Sequence, residues 1–326
     1  MKDYAEAIVK LVTAGALKVD DGLEDTLRDM LDLPEKSKVE EPKPNPIAGP
    51  VEEDQARERI ALSSGRWRRE LTLAEGFVMF DEIEGVLDTA QKKFVQATKE
   101  VQDWQIDTLV ALTIKAIENK DLKKLQNLDV TYRTEMASRM MTVLLDMFKY
   151  GRLQVKKELQ AQKHTELAEV PGPLDPADEE LALEFIKARA KASSTVMANK
   201  LKQSAIFQGL KQVKQGAADK EALALALKSL SDRELVSSAQ FAINEAFNFG
   251  RGVEAETARD EIDRVQYSAL MDPGTCEECA SLDGEEWDYD DPRTAKYQSG
   301  NPDCLGGTKC RCVEVFISKA ETPSVR

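Results

Sequence analysis

A mainly α-helical chain ending in a small α+β module is the architecture this sequence predicts, and three observations predict it. The 326 residues are 42% hydrophobic but only 6% aromatic, and Ala, Leu, Glu and Lys dominate, which suits long helices better than a sheet-rich core. From Phe80 onward, apolar residues recur at alternating spacings of three and four, the period of a helical seam. All five cysteines fall between Cys276 and Cys312, among Gly, Pro and Asp, where a chain with little core wraps a tetrahedral metal. The expected whole is a long helical bundle or stalk followed by a zinc-stapled module.

Taken in order, residues 1–33 read as a short helical segment. Ile8, Leu11 and Val12 stripe one helix, and Leu23, Leu27, Met30 and Leu31 stripe another. Pro34, Pro42, Pro44, Pro46 and Pro50 make 34–56 a linker with extended backbone. The long-helix domain is expected over 57–162. Its seam is Phe80, Ile83, Leu87, Ala90, Phe94, Ala97, Val101 and Trp104, continuing with a shift to Leu109, Leu112 and Ala116. That seam is read as core packing, and the 71–119 helix is also a candidate oligomer interface.

Thr131 with Glu135 suggests the cap of the next helix, whose apolar face is Met136, Met140, Val143, Leu144, Met147 and Phe148. Val170-Pro-Gly-Pro-Leu-Asp-Pro176 marks a second linker, placed at 163–177. Helices follow over 178–262. The acids of Asp178-Glu-Glu180 open the first, Asp219 caps a short second one, and Ser231-Asp-Arg-Glu234 reads as a capping box for a third. Ala239, Ala242 and Ala246 would let that last helix pack closely. The small β/zinc-knuckle module is expected over 263–326. Arg264–Met271 reads as a strand with Val265, Tyr267 and Ala269 on one face, and Val313–Ser318 as its partner.

Composition limits function. Net charge is −14, which opposes general adhesion to nucleic acid. No apolar run is long enough for a membrane span, and the N-terminus has no secretory h-region, so synthesis in the cytoplasm is expected. There, clustered cysteines hold metal more often than they form disulfides. The only histidine, His164, lies in a linker far from them. That removes histidine-zinc proteases, histidine-metal nucleases and the usual Ser/His/Asp or Cys/His hydrolases. The chain is read as a non-enzyme.

Two candidate sites remain. The first is the cysteine cluster. Cys276 and Cys279 converge in one turn, whereas Cys310 and Cys312 in extended chain would stand too far apart without a turn, for which Gly306-Gly307 is the candidate. Zinc wants four thiolates, so four of Cys276, Cys279, Cys304, Cys310 and Cys312 are expected to bind it. Cys276, Cys279, Cys310 and Cys312 come first, with Cys304 a rival to one of the last two. The second is a stretch without acids that carries Lys187, Arg189, Lys191, Lys200, Lys202, Lys211 and Lys214. It is either a solvated face or a contact to DNA backbone or an acidic partner.

The sequence Asn248-Phe-Gly250-Arg251, then a strand, then Asp272-x-x-Thr-Cys276-x-x-Cys279-x-x-Leu-Asp283-Gly284-x-x-Trp287, then Cys310-Arg-Cys312 before a last strand, resembles the minor head proteins of tailed phages. This is the head-morphogenesis family of phage Mu protein F. The likeness covers about residues 180–318, and residues 4–34 are similar to the tail end of Mu-type portal proteins. Many members carry a histidine shortly before Cys-Arg-Cys, where this chain has Asn301-Pro-Asp-Cys304, so Cys304 stands in that place.

The resemblance implies a structural protein made in the bacterial cytoplasm and residing in the virion, inside the capsid or near the portal. Its partners would be portal and major capsid proteins, with packaged DNA as a further candidate. Head assembly, packaging or ejection would be its task. The rival readings are a metal-dependent nuclease or thiol enzyme, and a zinc-ribbon adaptor.

Overall fold

The computed structural model describes residues 71–165, 168, 170, 172–269, 275–298, 300–305 and 310–319. The expected helices of 1–33, the proline linker and the Gly306-Gly307 turn lie outside them. Of the described residues 72% are helical and 7% are in strands, so the mainly helical expectation holds. A 3-10 turn at Glu75–Phe77 leads into α1 (Phe80–Glu118), followed by α2 (Leu122–Gln126), α3 (Arg133–Gln162), α4 (Pro176–Gln215) and α5 (Lys220–Thr257). The C-terminal module then runs β1 (Ile262–Ser268), α6 (Glu277–Leu282), β2 (Glu286–Asp288), α7 (Pro292–Tyr297) and β3 (Val313–Ser318).

Two caps differ from expectation. Helix α3 begins at Arg133 behind Tyr132, which takes a left-handed φ of 60° and makes no side-chain cap, so Thr131 is not the N-cap. Ser231 does not start a helix either, because α5 runs unbroken through it. Its buried hydroxyl and carbonyl instead accept from the Gln102 amide. Burial overrode a local capping pattern there. Asp219 does cap α5, accepting from the Ala222 amide at 2.9 Å.

The chain divides into two compact units, each assembled from separate stretches. Among described residues the smaller comprises Ile106–Thr131 and Asn199–Leu227. Leu109, Leu125, Leu201, Ile206, Leu210 and Leu223 are buried in it. Asp121 caps α2 through the Lys124 amide. The Gln212 side chain both donates to and accepts from the Asp219 backbone, closing the turn in which Gly216 takes φ 67°.

The larger unit comprises, among described residues, 71–105, Tyr132–Ala198 and 228–319. Its core joins Ile83, Leu87, Phe94 and Val101 of α1 to Met136, Met140 and Leu144 of α3, Ile186 and Met197 of α4, and Ala239, Ala242 and Ala246 of α5. The α1 seam is thus buried within the chain's own core up to Val101, while Trp104 is 38% exposed. Arg139 lies over the Trp104 ring, with 5.6 Å between guanidinium carbon and centroid.

Helices α3 and α5 meet at a glycine notch. A Cβ on Gly151 would stand 2.0 Å from the Phe247 carbonyl oxygen, and one on Gly250 would stand 2.1 Å from that of Phe148. Only glycine permits backbones this close.

The sheet has order β2-β1-β3, antiparallel throughout, with Val265 opposite both Trp287 and Phe316. Val313 and Val315 face the helical core, whereas Val265, Tyr267, Ala269 and Phe316 form a second cluster with Cys279, Cys312 and Trp287. The expected β1 face is present, and β1 starts at Ile262 and ends at Ser268. Strand β2, which carries Trp287, was not expected.

Candidate metal centre

The five cysteines lie in three segments of the C-terminal module, at the start of α6, beyond α7 and just before β3. Cys276 is the residue before α6, and Cys279 lies inside it. One helical turn therefore brings these two sulfurs together. Cys304 lies beyond α7, and Cys310 and Cys312 immediately precede β3. Because the last pair sits outside the pleat, its sulfurs are not spread as strand side chains would be. The sulfurs of Cys279, Cys310 and Cys312 all lie within 4.8 Å of one another, as do those of Cys276, Cys279 and Cys304. Cys279 belongs to both triads. All five sequence-predicted residues are thus brought together, and all are free thiols.

The Cys276–Cys304 sulfur separation is 3.6 Å and the Cys279–Cys310 separation is 3.9 Å, far beyond the ~2.05 Å of a disulfide. A soft, all-sulfur donor set that converges from three segments is suited to hold a metal ion.

Residues other than cysteine shape the site. The Tyr267 hydroxyl donates to Cys279 Sγ at 3.6 Å, and Asn301 Nδ2 reaches the same sulfur at 3.6 Å. Burial, then the negative charge of Cys312, pushes the Tyr267 hydroxyl up and keeps it a donor. A hydrogen bond from Cys312 comes first among the causes that hold Cys279 down, to about 4. Cys310 is held down to about 7, again chiefly by Cys312. Cys312 is pushed up by its bonds to Cys279 and Cys310 and by burial.

Anchors tie the cluster to the helices. Arg311, between the last two cysteines, donates to Asp88 of α1 at 3.0 Å and lies 3.9 Å from Glu84. Asn244 of α5 donates to the Cys310 carbonyl at 3.2 Å. Asp283 accepts from the Ala269 amide, and Gly284, at φ 88°, donates its amide to the Tyr267 carbonyl. Asp283-Gly284 therefore forms a turn that fastens α6 to β1. Trp287 is buried, with Nε1 donating to Thr294 at 3.0 Å. Tyr267 and Asn244 were invisible as site residues, because one reads as an ordinary strand aromatic and the other as a helix position. Asn301 had a signal in its place just before Cys304.

No family model, curated protein or solved structure matches this chain.

The basic stretch lies on α4. Lys187 and Lys191, four apart, are exposed on one face of it. Arg189, between them, points elsewhere. It is half-buried, paired with Glu245, and lies 4.9 Å over the Phe241 ring. Lys200, Lys211 and Lys214 are exposed, and Lys202 is half-buried. Arg189 is accordingly committed to packing. No described helix is long and apolar enough to cross a membrane.

Proposed function

We propose that this chain is a structural minor capsid protein of a tailed phage or prophage, whose C-terminal module is closed by one zinc ion. The observation that carries this reading is the thiol cluster. The cysteines that form the family-like signature are the ones that gather, and Asp283, Gly284 and Trp287 of the same signature build the turn and core around them.

A tetrahedral site with zinc–sulfur bonds of about 2.3 Å has sulfur–sulfur edges of ~3.8 Å. The Cys276–Cys304 separation of 3.6 Å and the Cys279–Cys310 separation of 3.9 Å are of that size, one in each of the two triads that share Cys279. We therefore propose that four of Cys276, Cys279, Cys304, Cys310 and Cys312 bind the ion, with Cys279, common to both triads, among them. Such a set leaves no coordination position for substrate, so the ion is structural.

The low-lying Cys279 thiol would suit a thiol enzyme, the second reading. Its side chain is fully buried, however, and a nucleophile without access does not turn over substrate. The proposed partners are portal and major capsid proteins, with Lys187 and Lys191 as candidate contacts to packaged DNA.

Co-sedimentation of the purified chain with portal rings and procapsids, together with mass spectrometry of particles, tests the role. Association with either assembly and presence in particles are expected. Failure to bind both, with absence from particles, overturns the reading.

A further inference from the structure

A cleft of about 490 Å³ opens in the larger unit, away from the thiols, between α4, α5, the segment from Tyr289 to Gln298, and β3. Its walls are apolar and aromatic, with Leu181, Val253, Phe249 and Phe316 among them. Acids line it too, but most are engaged. Glu256 and Asp290 both pair with Arg259, and Glu256 also accepts from the Tyr289 hydroxyl at 3.1 Å. Asp291 pairs with Arg293 at 2.9 Å.

Glu314 is different. It lines the cleft, is 4% exposed, and has a buried carboxylate oxygen, Oε1, with no hydrogen-bond partner. The nearby Arg251 does not serve it. That guanidinium gives Nη1 and Nη2 to the Glu158 carboxylate, and on β3 it reaches only the Glu314 backbone carbonyl, at 2.7 Å. A buried carboxylate oxygen left without a donor is costly unless something supplies one.

We propose that this cleft binds an alkylammonium group, with the nitrogen donating to Glu314 and the stem lying along the aromatic walls. The chemistry selects that class. A compact point donor can meet a single buried oxygen, whereas the two-pronged guanidinium prefers two carboxylate oxygens at once. Aromatic faces attract cations and cover methylene stems, whereas a hard metal ion wants several oxygen ligands. A Cβ on Gly252 would stand 1.3 Å from the Gln298 amide nitrogen, so glycine there lets Gln298 lie flat against α5. The ammonium can come from a free diamine or from a lysine side chain of a bound protein.

Titration calorimetry of the full metal-loaded chain with 1,5-diaminopentane, Nα-acetyl-lysine amide and 1,5-pentanediol tests this. Saturable binding of at least one amine at millimolar concentration, with none of the diol, is expected. Preference for the diamine assigns a free amine, and preference for the lysine amide assigns a protein side chain. Glu314→Gln should weaken binding by about tenfold or more, and so should Ala295→Trp, which fills the mouth from an exposed position. Should Glu314→Gln fail to fold, Ala295→Trp still decides. Lack of saturation by both amines, equal binding of the diol, or wild-type affinity in a folded variant overturns the proposal. The proposal stands independently of the capsid role.

Discussion

Arg251 is the largest fully buried side chain among the described residues, and it shows how single residues hold the larger unit together. Its guanidinium meets Glu158 through two hydrogen bonds of 2.6 and 2.8 Å and lies between the Phe247 and Phe316 rings, 5.6 Å from each centroid. Arg152 pairs with Glu254 beside it. Removing one member strands the other charge, so Arg251→Met should cost about 3–5 kcal/mol. Denaturant melts check this, and adding Glu158→Leu should recover much of the loss.

At the thiols, single substitutions test the ligand set. Of the five single Cys→Ser variants, four should lose the metal and one should keep it with reduced stability, and Cys279→Ser should be among the four. Retention of metal in Cys279→Ser would remove the residue common to both triads from the ligand set. A sign also follows for pH. The Cys279 thiol lies at about 4 in the folded chain against an ordinary 9.0. Its thiolate therefore stabilises the fold fully above about 9, and the contribution is lost as pH falls through about 4. Thermal midpoints should drop on acidification, and Cys279→Ser should flatten that slope.

Helix pairs carry the next level. The notch where α3 and α5 touch has no room for a methyl at Gly151 or Gly250, so Gly151→Ala and Gly250→Ala should each cost about 1–3 kcal/mol. Gly85, on the exposed side of α1 with nothing within 4 Å of an added Cβ, is the control. Gly85→Ala should gain about 0.5–1 kcal/mol. Equal effects at the three positions, read by thermal denaturation, would contradict the notch.

Legibility in the sequence followed the same physics. The α1 seam and the β3 strand were readable because apolar period is local information. The Gly151–Gly250 notch was not, since a glycine in a helix says nothing of what approaches it from elsewhere. Ser231 was misread because its capping pattern is local and its true partner, Gln102, is far away in the chain. The cysteines were legible as a cluster from spacing alone. Their grouping into two triads around Cys279 was not, since it depends on where β1, α6 and the loop before β3 meet.

For the molecule as a whole, the proposed metal is a substitute for core. The C-terminal module has a three-stranded sheet and two helices of six residues each, too little to bury much apolar surface by itself. Arg311 and Asn244 bind the thiol loops to α1 and α5, so loosening the cluster should loosen the module first. Hydrogen exchange after chelation should therefore show protection falling in β1 to β3 while the buried core of α3 persists. Uniform loss across both would mean that the metal is not local to the module. The most direct test is the metal content of the purified, reduced chain, measured by inductively coupled plasma mass spectrometry alongside thiol titration. The account requires one zinc per chain, lost in Cys279→Ser; a content well below one in reduced, folded protein would contradict it.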